Sequence, residues 1–447
     1  MALSQAEKAG RLQITTRALR HRNFQLYFAG MLVSVIGTWM QNVAQSWLVY
    51  RLTDSPFLLG LTGFAGMIPV FVLGPVGGVV ADRYSRHRII ILTQTFSLAQ
   101  AVVLAALTLK GAVTVDAILV LAFALGAINA FDMPARQAFL IDLVGKGELM
   151  NAIALNSSLF NGARIVGPAL AGLVVAAVGE GWCFLLNAVS FLAVIVSLLA
   201  IKITIEDIRP ITSPLLSLKE GLAYVLKTRP IRALLTMVVV VSVFGIPYSV
   251  LMPVFAKEVL GGGPQTLGIL LGAGAVGALG GALMLAARSR VEGLGRILAM
   301  SAALFGVTLV VFSFSRNFVL STILVIPAGF FVMLQLSGTN TLLQTIVPDD
   351  MRGRVMSFYS VSLMGMAPFG SLLSGKLADW MGAPKTVAVG GASCFVAAVI
   401  FRLRFPSIRR AMAAIVEKEA GPGASQGPGG SDVAAPDQPI EPAIDYF

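Results

Sequence analysis

The sequence predicts an all-α membrane protein of twelve transmembrane helices, arranged as two six-helix, pseudo-symmetric bundles. Three observations lead there: twelve apolar stretches between Phe24 and Phe405, a lopsided distribution of Lys and Arg, and a repeat at a constant offset of 208 positions. A helix needs about 20 apolar residues to cross a hydrocarbon core of roughly 30 Å. Twelve such stretches leave almost no chain for a soluble domain. Of the 447 residues 56% are hydrophobic and only 12% charged, where a soluble protein carries about a quarter charged.

Residues 1–23 are polar and basic and lack an apolar h-region. No cleavable signal peptide is expected there, and the first crossing serves as the insertion signal. An N-terminal bundle, 24–203, follows with crossings at 24–50, 57–81, 89–109, 114–133, 151–178 and 182–203. The connections on the far side are short, and Asp54-Ser55-Pro56 is nearly all of the first. A linker at 204–230 contains the stretch Leu215–Leu226, whose spacing suits an amphipathic helix on the membrane face. The C-terminal bundle, 231–405, has crossings at 231–256, 264–287, 297–315, 317–338, 353–378 and 384–404. From 406 to 447 the character changes to Gly, Pro and Ala with Asp432, Asp437, Glu441 and Asp445, so a disordered tail is expected.

On these spans 26 of the 33 Lys and Arg fall on one side, six on the other, and Arg164 inside a helix. By the positive-inside rule both termini are then cytoplasmic, in a bacterial-type inner membrane. The net charge of +11 thus reports topology and implies no nucleic-acid partner. Cys183 and Cys394 lie near or within helices and suggest no disulfide framework. His21 and His87 fall in inner loops, so no metal site is expected, and no cofactor motif survives inspection. Gly272–Gly277 fits a dinucleotide fingerprint but lacks the preceding strand. Gly370–Lys376 fits most of a phosphate loop, yet Leu377 stands where Ser or Thr belongs. Both read as packing glycines, and uphill transport would need an ion gradient.

The offset of 208 places Ser34-Val35 and Gly37 on Ser242-Val243 and Gly245, and Pro56 on Pro264. It also matches Leu59-Gly60 with Leu267-Gly268, Ala65-Gly66 with Ala273-Gly274, and Arg88-Ile89 with Arg296-Ile297. Parallel six-helix repeats about an axis along the membrane normal suit a transporter whose site lies between the halves.

Two motifs add chemistry. The loop after the second crossing contains Gly78, Asp82, Arg83, Arg86 and Arg88. Asp82 sits at a helix C-terminus, where the macrodipole disfavours negative charge, so it calls for a partner. The loop resembles the signature between helices 2 and 3 of the major facilitator superfamily, with Ser85 where Gly is common. That resemblance implies a gate in which Asp82 meets the start of the eleventh helix, near Asp350-Met351-Arg352-Gly353-Arg354. The plain alternative is a topogenic loop whose charges stay wet. In the fifth crossing, Gly162, Arg164, Gly167, Pro168 and Gly172 resemble the Gly-Pro motif of exporters in this superfamily, with helix packing as the alternative. Asp132–Phe139 and Asn151–Asn156 resemble the branch of enterobactin exporters and macrolide-efflux proteins.

Polar groups inside the membrane are functional candidates. Gln41, Asn42, Gln45, Asn129, Gln335 and Asn340 either bond neighbouring helices or line a cavity. Asp132 is the most embedded carboxylate of the first half, with Arg136 one turn onward as coupling or structural partner. Arg164 lies near the midplane. The expectation is a monomeric secondary transporter, not an enzyme, exporting a drug- or siderophore-like small molecule from the bilayer's inner side. Proton antiport is what the family resemblance implies. An uptake or lipid carrier is the alternative, and a polytopic membrane enzyme a more distant one.

Overall fold

The computed structural model describes residues 17–201, 214–288 and 293–420, and among them every regular element is helical. The crossings of the first half are Arg22–Thr53, Pro56–Arg83, Arg86–Leu109, Val115–Val178 and Glu180–Leu199. Those of the second half are Arg229–Val259, Pro264–Ala286, Leu294–Phe314, Phe318–Ile346, Asp349–Met381 and Ala383–Ala420. Eleven helices are thus long and apolar enough to span a membrane. One of these stretches, Val115–Val178, is two helices that meet at a kink at Gly145, the fourth and fifth crossings.

The expected break at 134–150 is thus present but narrows to one residue. Gly145-Lys146-Gly147-Glu148 reads as a loop, but only Gly145 leaves helical geometry, at φ 71°, a conformation that favours glycine. The last helix likewise runs past Pro406 to Ala420, where a disordered tail was expected to begin; residues 421–447 lie outside the described chain. The linker helix forms at Pro214–Lys227, close to the expected position.

The short turns are fixed by local chemistry. Asp54 closes the first crossing in the left-handed region, and the Ser55 hydroxyl accepts from Leu58 N, with Pro56 opening the next helix. Ser85 caps the third crossing by accepting from Arg88 N, so the serine serves this turn where glycine was the common residue. Thr114 and Asn317 cap their helices in the same way. The second half departs from regular α-geometry more often. It carries π-turns at Val241–Gly245, Phe255–Val259 and Val361–Gly365, each near a proline: Pro247, Pro253 and Pro368.

Three apolar cores define how the halves meet. One contains only first-half residues at the end carrying Arg83–Arg88, among them Phe24, Tyr27, Phe139 and Leu198. A second contains only linker and second-half residues, including Leu234, Leu298, Leu343 and Phe401. The third is shared: Val43, Leu48, Tyr50 and Val175 pack with Leu251, Phe255, Leu267 and Phe312 at the opposite end. The halves are therefore joined at one end and separately cored at the other, basic end.

Candidate functional site

The join is built on glycine. A β-carbon on Gly60 would lie 2.4 Å from the Ser371 carbonyl oxygen, and one on Gly268 would lie 2.4 Å from that of Pro168. Gly60 and Gly268 are mates under the 208 offset. Their partners correspond too, since Gly172 lies against Gly268 as Gly375 lies against Gly60. The fifth crossing carries Gly162, Gly167 and Gly172; the eleventh carries Gly365, Gly370 and Gly375 at the same spacing. Gly167 packs on Ile36 and Trp39 of the first crossing, and Gly370 on Ser242 and Val243 of the seventh. The phosphate-loop look-alike is thus the second-half copy of the exporter-like motif. The repeated five-residue glycine spacing was the signal that could have revealed it.

Polar contacts rim the same end. Tyr50 donates to Glu258, its mate under the offset of 208, and Lys257 pairs with Asp54 while its ammonium stands 5.4 Å from the Tyr50 ring centre. Arg51 holds Glu180 through two nitrogens, at 2.7 and 3.2 Å. Residues at equal positions in the two repeats meet on the pseudo-twofold axis, so the offset itself pointed to Tyr50 and Glu258.

Toward the basic end the halves part. A β-carbon on Gly272 would still lie 3.4 Å from the Ile165 carbonyl oxygen, but β-carbons on Gly162, Gly74, Gly78 and Gly353 would meet nothing within 4 Å. Asp82 is half-buried and makes no ion pair among the described residues, while Arg83 and Arg88 are exposed. Arg86 donates to Asp142 at 2.9 Å and to the Ala138 carbonyl, both within its own half. At the start of the eleventh crossing Arg352 pairs with Asp349, and Arg354 with Glu220 of the linker helix at 2.9 Å. In this conformation, then, the gate residues are not brought together. The cleft is open where they stand.

The embedded polar residues divide into two groups. Gln41 is fully buried and tied: it donates to Gln100 and accepts from Asn187 at 2.8 Å, a chain joining three helices of the first half. Asp132 is 2% exposed; its carboxylate accepts from Thr93 at 2.6 Å and Gln94 at 3.1 Å and pairs with Arg136. Gln335 is buried, its side-chain amide donates at long range to Thr339 on its own helix, and its side-chain oxygen makes no hydrogen bond among the described residues. Asn340 accepts from Gln344. By contrast Asn42, Gln45 and Asn129 are at least partly exposed and make no hydrogen bond among those described. Arg164 is half-buried at the level where the fifth and eighth crossings separate, its guanidinium carbon 5.8 Å from the Trp39 ring centre. A crevice lined by Ala282, Arg288, Leu294 and Thr341 lies wholly within the second half and away from this cleft.

The sequence matches a family model described as transmembrane secretion effector over residues 15–422. It is 26% identical to the staphyloferrin A transporter of Staphylococcus aureus over 84% of this chain and 94% of that protein. The enterobactin exporter of Shigella flexneri is 26% identical over 87% of this chain and 93% of its own length. Macrolide efflux protein A of Streptococcus pyogenes is 26% identical over 85% and 96%. In fold the chain is similar to a POT family peptide transporter, with a TM-score of 0.71, 10% identity and coverage of 87% and 96%. A bacterial homologue of the lysosomal transporter Spinster gives a TM-score of 0.64 at 14% identity, covering 87% and 97%.

Proposed function

The chain belongs to the transmembrane secretion effector family of the major facilitator superfamily, and from that premise we propose that it exports an amphipathic small molecule by alternating access. The observation that carries this reading is the division of its cores: one shared at the end away from Arg83–Arg88, two separate at the basic end. A molecule reaching the cleft from the basic end meets a roof made by the fifth and eighth crossings. For that molecule to leave on the other side, the glycine crossings at Gly60 and Gly268 must part while the basic end closes. Each bundle keeps its own core during such a rocking movement.

The basic end is cytoplasmic in this proposal, as the Lys and Arg asymmetry supports. Asp82 then waits for a partner that Arg352 and Arg354, now held by Asp349 and Glu220, provide on closure. Proton antiport supplies the driving force, and Asp132, a buried carboxylate within the membrane, is the candidate proton carrier. The relatives named for siderophores and macrolides point to large amphipathic cargo. The test is an efflux panel of such compounds in a strain stripped of its own exporters. Expression should lower accumulation of at least one compound, and collapse of the proton gradient should abolish the effect. Raised accumulation would indicate uptake instead.

A further inference from the structure

Arg164 is the one arginine or lysine that the spans place within the membrane interior. It lies 14 positions before Val178, roughly 21 Å below the far end of its helix. A guanidinium does not lose its proton under protein conditions, so this charge is permanent. Yet among the described ion pairs none includes Arg164, and no hydrogen bond to it is described. Its neighbours are aromatic. Trp39 lies under it at 5.8 Å, a cation–π distance that leaves the in-plane N–H donors unused. At a similar level on the second half stands Tyr248 of the seventh crossing, whose hydroxyl would lie 3.5 Å from a β-carbon on Gly274, two positions after Gly272, and makes no described hydrogen bond. Arg164 adjoins an ordinary contact of the fifth with the eighth crossing, at Ile165 and Gly272, and lies two positions from the open space at Gly162. It therefore stands in the roof of the cleft.

The surroundings are one-sided. Thr38, Trp39, Asn42 and Gln45 recur at helical spacing on one side of the first crossing, and Asn42 is exposed. Under the 208 offset, Trp39, Asn42 and Gln45 correspond to Pro247, Val250 and Pro253 of the seventh crossing. Under the glycine register that superposes the fifth and eleventh crossings, the mate of Arg164 is Ala367. The first half thus offers a cation and amides, the second half aliphatic carbon and Tyr248, which packs edge-on against buried Phe305.

Resting on the export reading above, we propose that Arg164, backed by Trp39, binds the carboxylate of an anionic amphipathic substrate whose apolar body lies against the second half. A planar guanidinium matches a carboxylate with two parallel hydrogen bonds, and the cleft's depth strengthens them.

The test uses the full chain in phosphatidylcholine nanodiscs, which present no net anionic headgroup, with dansylglycine and dansylcadaverine as probes. These share a fluorophore and carry opposite charges at neutral pH. Fluorescence anisotropy should show the anion bound about tenfold or more tightly than the cation, as charge-assisted hydrogen bonds allow. Arg164→Gln should remove that preference by weakening only the anion, whereas Arg164→Lys should retain part of it. Equal affinity for both dyes in the wild type would overturn the proposal. So would equal weakening of both dyes in an Arg164→Gln protein that melts like wild type, since that marks a packing role. Charge preference without efflux of any panel compound would sink the export reading and leave this site standing; efflux without charge preference would do the reverse.

Discussion

At Asp132 three donors converge on one buried carboxylate: the Thr93 hydroxyl, the Gln94 amide and the Arg136 guanidinium. Removing one partner of a buried ion pair leaves the other uncompensated, at a cost of about 3–5 kcal/mol. Asp132→Asn should therefore lower the melting temperature markedly, and Arg136→Gln in the same chain should restore most of the loss. We expect efflux driven by an imposed pH gradient to be absent in both variants. A double variant that keeps full pH-driven efflux would leave the carboxylate a structural role only. The pairing of Asp132 with Arg136 was legible in the sequence because i,i+4 spacing fixes it. Thr93, Gln94 and the amide chain through Gln41, Gln100 and Asn187 were not legible, because helical periodicity does not specify the rotation and height of one helix against another.

Between elements, what decides the state of the molecule is backbone contact at glycine. A side chain at Gly268 must displace the Pro168 carbonyl on the other half, and overpacking of this kind costs about 1–3 kcal/mol. The clash falls between bundles, so Gly268→Val should leave each bundle folded while shifting the population outward-open by about tenfold or more, at 1.4 kcal/mol per decade. Ser371, 4% exposed beside the symmetric Gly60 crossing, reports it. A Ser371→Cys thiol should react with an external membrane-impermeant reagent only when Gly268→Val is also present. Background is low because Cys183 and Cys394 are buried. No reaction would mean the two crossings do not open as one. At the basic end, Glu220→Gln frees Arg354 from a pair whose side chains are 54% and 31% exposed, so the effect on stability should stay within about 1 kcal/mol. Transport should change by a few-fold at most, while Asp82→Asn should cut it more deeply. Equal transport in Asp82→Asn and wild type would reduce that loop to a topogenic role. The apolar part of each helix was legible from hydropathy. The break after the fourth crossing was legible too, but not its narrowing to Gly145, since composition marks a loop while a single residue at φ 71° can link two helices directly. The π-turns left no pattern beyond a nearby proline.

At the scale of the whole molecule, the two-bundle architecture was readable because one offset maps loops as well as helices; which end is closed was not. A repeat states that two halves are alike, and likeness is compatible with closure at either end. Closure is a matter of a few kcal/mol between states built from the same contacts within each half. The contacts that differ are individually weak, as reversibility requires: the exposed Asp54–Lys257 pair is worth about 0–1 kcal/mol, and the glycine crossings contribute dispersion spread over short stretches of backbone. Spin labels at Arg83→Cys and Arg352→Cys, both exposed at the basic end, should therefore show a long distance in the resting protein. Gly268→Val should shorten that distance by opening the far end, because rigid bundles joined about one axis cannot part at one end without approaching at the other. An unchanged label distance in a variant whose Ser371→Cys thiol has become reactive would replace rigid rocking with local bending. The π-turns at Val241–Gly245 and Val361–Gly365 would then be the hinges to test next.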